Sequence, residues 1–468
     1  MNTFVNAVVN QEARTENGMV ARKSTANACV DLFFKIGASR GKDITAEFTA
    51  AFVEDKDLAL RIAQWVRDVR GGAGERELFR QVLRYLEKHD PIAASKLIDK
   101  IPEIGRFDDL FVFTDDTLKS RAYSLLGDHL RQRNGLAAKW TPRKGVIAAE
   151  IRNFFGMSPK QYRKTLVGMT SVVETDMCAK NWDNINFSHV PSVASARYKK
   201  AFFRNTQKYA EYVAELVKGN NPKVKVNAGA VYPYDVIKGV YYANYNPTEK
   251  NLIIKQWEAL ENFVGDANIL PLVDVSGSMQ TPAGRNSSVQ CIDVAVSLGL
   301  YLADKNVGKF KDTFLTFSAD PELLNLKGNV IQKMHQMVKS AWGMNTNLVK
   351  AMDKILSTAI NGQVRQEEMP DMLLILSDMQ FDYCAKFDDS AMQMIKRKFE
   401  TAGYEVPSIV FWNINSNDNV PVKYDTRGVA LVSGFSPAIV KAILSADTSE
   451  FTPEAIMRKA VMVDRYAL

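Results

Sequence analysis

Apolar residues recur at helical spacing through the first half of the chain and in strand-sized runs through the second. The clearest stripe is Leu58, Ile62, Trp65, Val66 and Val69 within 57–69, positions that share one face at helical periodicity. Comparable patterns predict helices over 26–36, 44–53, 75–89, 92–100, 115–134, 145–156, 159–169, 234–244 and 248–263. Asp90-Pro91 reads as an N-cap followed by proline in the first turn. Short helices joined by short turns predict a stacked array of helix pairs. Residues 1–25 are polar and weakly patterned and are expected to form a flexible arm.

After 265 the pattern alternates. Strands are predicted over 268–275, 313–318, 371–377, 407–413 and 428–433, with helices over 288–304, 330–341, 347–360, 388–402, 436–445 and 453–462. Such alternation is the signature of a mostly parallel α/β sheet. The expected class is therefore α followed by α/β, with an arm at 1–25, a helical unit at 26–265 and an α/β unit at 266–468. A chain of 468 residues is long enough for two or three domains.

Two predicted strands end on acids. Leu270-Pro271-Leu272-Val273 runs into Asp274, with Ser276 and Ser278 at alternate positions, and Met372–Ser377 runs into Asp378. Open α/β sheets bind ligands at the carboxyl ends of their strands. One carboxylate and two hydroxyls offer only hard oxygen donors, which suit Mg²⁺ or Mn²⁺. Together with the loop Trp342–Leu348, these stretches resemble the metal-ion-dependent adhesion site of von Willebrand factor A (VWA) domains, a Rossmann-like fold. The resemblance implies a Mg²⁺ (or Mn²⁺) site of Asp274, Ser276, Ser278, Thr346 and Asp378, able to take a carboxylate-bearing protein ligand. One departure is Met379, where glycine is frequent in that family.

Charge changes the picture of the first half. Residues 1–265 carry 40 Lys+Arg against 30 Asp+Glu, whereas 266–468 carry 20 against 23. Within 131–210 the imbalance is 15 against 4, more than solubility requires. A polyanionic partner is expected for this half. The candidate RNA contacts are Arg131, Arg133, Lys139, Arg143, Lys144, Arg163, Lys164, Arg197, Lys200 and Arg204. Interleaved aromatics include Trp140, Phe154, Phe155, Tyr162, Tyr198, Phe202, Phe203 and Tyr209. Rings and charges together suit single-stranded RNA, although the paired phenylalanines are expected chiefly in the core, because a helical array must bury an apolar face. The glycine cluster Gly71-Gly72-Ala73-Gly74 lacks the Lys-Ser/Thr of a phosphate-binding loop and follows a helix. It is expected to be a tight turn, with Arg67, Arg70 and Arg76 around it able to contact an anion.

Four scattered cysteines and four histidines form no metal or nucleophile spacing. The G-x-S-x-G elbow is absent too, and no base or basic clamp accompanies the acids, so no enzyme activity is expected. Free thiols, no secretory signal and no run long enough to span a bilayer give the expectation of a cytoplasmic protein without membrane contact.

Longer strings sharpen the reading. Arg67–Phe79, Pro102–Leu110, Met177–Asp183 and Val190–Ser192 with Arg197–Phe202 resemble an uncharacterised family of cellular and viral VWA proteins. The layout is similar to that of the Ro autoantigen, in which a ring of HEAT-like repeats (the TROVE module) is closed by a VWA domain. Ro proteins bind single-stranded ends of structured or misfolded RNAs and small noncoding RNAs. The resemblance implies a non-catalytic RNA-binding protein. The alternative is a metal-dependent interaction or assembly protein, for instance a virion component.

Overall fold

Side-chain caps cut the first half into short helices. Asp55, Asp90, Asp115, Asn134 and Ser158 each accept hydrogen bonds from backbone N–H groups in the first turn that follows, satisfying donors that have no partner within the helix. The computed structural model describes residues 12–468 apart from 171, 238–239, 241–246, 285–286, 318–319, 341–346, 382–390, 417–418 and 447–449. Its helical part comprises α1 (Ala28–Ile36), α2 (Thr45–Glu54), α3 (Lys56–Arg67), α4 (Arg76–His89), α5 (Pro91–Ile104), α6 (Asp116–Arg131), α7 (Gly135–Trp140), α8 (Val146–Phe154), α9 (Pro159–Met169), α10 (Val173–Cys178), α11 (Ser192–Asn205), α12 (Gln207–Lys218), α13 (Pro233–Ile237) and α14 (Pro247–Glu258). Helices α7 and α10–α12 are absent from the sequence prediction, although α12 carries a stripe of Tyr209, Val213 and Leu216 at helical spacing. Of these, α7 and α10 are only six residues long, and α11 buries just Ser192, Ser195 and Phe202, too few positions to print a periodicity.

The second part is a six-stranded sheet. Its strands are β3 (Ile269–Asp274), β4 (Thr313–Phe317), β5 (Leu323–Asn325), β6 (Met372–Ser377), β7 (Ser408–Asn413) and β8 (Val429–Ser433), in the order β5-β4-β3-β6-β7-β8. Only β5 runs antiparallel. Every residue of β3, β6 and β8 is buried, as expected of parallel strands covered on both faces. Helix α15 (Cys291–Lys305) covers one face so closely that a Cβ at Gly299 would lie 2.3 Å from Val273 Cγ2. The chain passes from β3 to β4 on one side, whereas β6 leads to β7 on the other. The topological switch point therefore lies between the carboxyl ends of β3 and β6.

The helical part meets the sheet at both of its ends. Near its start, Ser433 Oγ donates to Phe33 O (2.7 Å) and Asn413 Nδ2 to Phe34 O (3.1 Å), fastening α1 to β8 and β7. Near its finish, Trp257 Nε1 on α14 donates to Asp304 Oδ2 on α15 (2.8 Å). The last residues of the chain return to α3, where Gln64 Nε2 donates to Tyr466 O (2.8 Å) and Tyr466 Oη to Asp68 Oδ2 (3.0 Å). One apolar core runs through both parts, with a satellite cluster of Ile185, Phe187, Val190, Phe202, Tyr209, Val213, Leu216 and Leu252.

The described part of the expected arm differs from the sequence reading. β1 (Glu12–Arg14) and β2 (Val20–Arg22) form an antiparallel hairpin. Arg22 exchanges two backbone bonds with Val420 (2.8 and 2.9 Å), and Thr15 and Met19 are buried. Three-residue strands carry no readable alternation. Bonds to the far end of the chain order them.

Candidate metal centre and basic cavity

The two predicted strand-end acids come together at the switch point, where β3 and β6 are paired neighbours. Asp274 is fully buried, and its Oδ1 accepts from Ser276 N (2.9 Å) and its Oδ2 from Ser377 Oγ (2.6 Å). The Ser276 and Ser278 hydroxyls stand 3.0 Å apart, and Ser278 in turn bonds the Asp378 carboxylate. Asp378 Oδ1 also accepts from Gln380 N (3.2 Å). Burial, reinforced by the neighbouring Asp378 charge, pushes the Asp274 carboxyl up to about 6. Burial likewise raises Asp378; Glu16 adds to the shift, and the Ser278 and Gln380 bonds oppose it. Thr346 lies outside the described residues.

The donor chemistry fits a hard divalent cation. Two carboxylates and two hydroxyls converge, and burial makes the pair's negative charge costly until a cation neutralises it. Among the described residues no group of three or more His, Cys, Asp or Glu side chains stands close enough together to hold a metal ion. Met379 sits at φ +66° and is buried. It thus holds the left-handed conformation that the glycine expected at this position would adopt freely, and backbone strain of this kind is characteristic of functional loops.

A second constellation lies in the helical part. A cavity of about 630 Å³ is lined by Arg40, Arg67, Arg76, Arg106, Lys139 and Arg197, with Trp140 and Tyr198 among its walls. The glycine turn forms part of it: Gly74 has φ +72°, and a Cβ there would strike Tyr232 Oη at 1.8 Å. Most of these cations are already paired. Arg40 holds Glu75, Lys139 holds Glu174 (3.0 Å), and Arg67 holds Asp109 (2.8 Å). Arg106 pairs with Asp108 and lays its guanidinium 3.6 Å from the centre of the Trp140 ring. Arg76 makes no hydrogen bond or ion pair among the described residues. Burial and the like charges of Arg106 and Arg80 lower its pKa. A guanidinium held among others in this way is a ready partner for an anion.

Of the residues proposed from sequence as RNA contacts, only Lys139 and Arg197 line this cavity. Arg131, Arg133, Arg143, Lys144, Arg163, Lys164, Lys200 and Arg204 are exposed on the outer surface. Arg131 pairs with Asp128, and Arg143 Nη2 donates to Thr170 Oγ1 (2.9 Å). Phe202, Tyr162 and Tyr209 are core residues, whereas Phe154 is 43% exposed. Arg106 had no signal of its own in composition or periodicity. It lies in the string Pro102–Leu110, whose Asp109 is bound by Arg67 from the string Arg67–Phe79, so two of the distinctive strings meet in space.

Comparison with known proteins follows the same division. The chain is 30% identical to the uncharacterised protein L728 of Acanthamoeba polyphaga mimivirus, over 95% of this chain and 86% of that protein. The chain belongs to that protein's family. Within this family, residues 268–464 match a domain of unknown function, DUF7788, and residues 15–103 and 143–267 match another, DUF2828. The fold is similar to that of the Deinococcus radiodurans RO (RSR) protein, with a TM-score of 0.50 and 14% identity over 93% of this chain and 99% of that one. The family member described here therefore has a Ro-like architecture, with a helical part and a mostly parallel sheet.

Proposed function

We propose that the protein binds RNA without catalysing a reaction on it. The helical part, over 26–265, acts as a HEAT-like, TROVE-like module, and 266–468 acts as a VWA domain with a metal-ion-dependent adhesion site. The observation that carries the RNA reading is the cavity at the glycine turn, where Arg76 is left with unneutralised charge beside Arg106 and Arg197. The exposed cations from Arg131 to Arg204 extend the positive surface outside it. Phosphates would be held by guanidinium groups, and Trp140 and Tyr198 offer rings for bases. In the sheet part Asp274, Ser276, Ser278 and Asp378, with Thr346, would hold Mg²⁺ or Mn²⁺. When bound, that ion supplies two positive charges and an open position for an oxygen ligand such as a partner's carboxylate.

No helix among the described residues is long and apolar enough to cross a membrane. Cys29 and Cys291 are free and buried, and burial pushes their thiols up to about 12 and 11. Inert free thiols accord with a reducing, cytoplasmic setting.

Fluorescence anisotropy with single-stranded RNA over a range of salt tests the RNA reading. Affinity should fall with salt by roughly 0.7 log units per neutralised phosphate per decade. Reversing Arg76 and Arg197 to Glu should weaken binding across sequences and flatten that slope. Absence of RNA binding at low salt overturns the proposal in favour of a protein-assembly role.

A further inference from the structure

Another cleft opens at the rim of the sheet opposite the strand-end acids. Pro407 and Gly428, the residues just before β7 and β8, lie on its wall, so it sits at the amino ends of these strands. Its volume of about 890 Å³ has room for a small organic ligand rather than a single ion. Three cations on the wall, Arg22, Lys423 and Arg427, make no side-chain hydrogen bond or ion pair among the described residues. A fourth, Lys396, is matched by Glu400 (3.8 Å). The remaining acid, Glu405, has no side-chain partner among the described residues either. Tyr404 Oη donates to Val364 O (2.8 Å), which fixes the ring as a flat apolar surface.

The three unpaired cations come from distant parts of the chain. Arg22 ends β2, and Lys423 and Arg427 lie between β7 and β8. Two backbone bonds join Arg22 to Val420 (2.8 and 2.9 Å), and Tyr424 N donates to Thr25 O (3.0 Å). The backbones that carry the cations are therefore held together before any ligand arrives, which lowers the cost of binding. Like charges gathered in this way favour an anion. A bare phosphate would gain nothing from Glu405 or Tyr404, whereas a nucleotide uses all three kinds of group. Its phosphates accept from guanidinium and ammonium groups, its ribose hydroxyls can donate to a carboxylate, and its base packs on an aromatic ring. We propose that this cleft binds a nucleoside diphosphate, with the phosphates on Arg22, Lys423 and Arg427, the ribose at Glu405 and the base against Tyr404. The site is separate from both the metal centre and the basic cavity of the helical part.

Calorimetry on the full chain tests it, with each of the four ribonucleoside diphosphates and with inorganic pyrophosphate. Chelator is present throughout, so that no divalent ion bridges a phosphate to Asp274 and Asp378. At least one nucleoside diphosphate should bind about tenfold more tightly than pyrophosphate. Arg22→Gln and Arg427→Gln should each weaken that binding about tenfold. Arg427 is exposed and unbonded, so its variant should melt as the parent does. Glu405→Gln should weaken the nucleoside diphosphate and leave pyrophosphate unchanged, and Arg76→Glu should change neither. The proposal is overturned if no nucleoside diphosphate binds, or if pyrophosphate binds equally well. It is overturned too if Arg76→Glu abolishes binding while Arg22→Gln and Arg427→Gln match the parent, since the ligand then occupies the helical cavity.

Discussion

Two acidic pairs, one in each part of the molecule, are treated in opposite ways. In the helical part Asp108 and Asp109 are met by the chain's own cations. Arg67 and Arg80 bind Asp109 at 2.8 and 2.7 Å, and Arg80 and Arg106 bind Asp108. Burial opposes ionisation of Asp108, but the bonds and charges of Arg106 and Arg80 outweigh it and hold the carboxyl below its usual range. In the sheet part Asp274 and Asp378 receive only hydroxyl and amide donors in the bonds described, and both carboxyls are held above their usual range. The first pair is neutralised as the chain folds and serves the architecture. The second meets hydroxyl and amide donors in the bonds described, and on the proposed reading a divalent ion would neutralise it.

The largest effect should come from breaking the satisfied pair. Asp109→Ala leaves Arg67 buried without its partner, and removing one member of such a pair costs about 3–5 kcal/mol. Urea denaturation should show that loss with or without divalent ions, and a loss below about 1 kcal/mol would erase the distinction. Next comes the ion itself. Mg²⁺ or Mn²⁺ at a hundred times its dissociation constant should stabilise the parent by about 2.7 kcal/mol and leave Asp378→Ala unmoved in thermal melts. Equal stabilisation of both proteins would place the ion elsewhere. The smallest effect concerns the metal-free site. The Asp274 carboxyl is raised in the folded state, from 3.8 to about 6, so the folded protein binds the extra proton and loses stability as pH rises through that window. In the presence of chelator, Asp274→Asn should therefore gain on the order of 2 kcal/mol at pH 7 and nothing at pH 4. A gain that is the same at both pH values would mean that charge is not what burdens the site.

Much of this arrangement is legible in the chain. Continuous apolar runs such as Leu270–Val273 and Leu373–Leu376 mark strands buried on both faces, and the acids that close them mark strand ends. Asp55, Asp90 and Asp115 mark helix starts, because a cap acts within one turn of its own position. The hydroxyls of Ser276 and Ser278 follow from the same local spacing. These features depend on neighbours in sequence, and the sequence by itself determined them.

The tertiary structure decided what depends on distant partners. That β6 lies beside β3, bringing Asp378 to Asp274, is a matter of strand order, which no local pattern encodes. Arg76, Arg106 and Arg197 stand on separate elements and share a cavity only because the helices stack. Which of them stays unneutralised depends on where Asp108 and Asp109 fall. The exposed cations from Arg131 to Arg204 were counted correctly as an excess, yet composition could not say that only Lys139 and Arg197 would face inward. The hairpin is the extreme case. Its strands are too short and too polar to declare themselves, and its order comes from bonds to Gln380, Phe381 and Val420, partners that the chain acquires only once both of its ends have folded together.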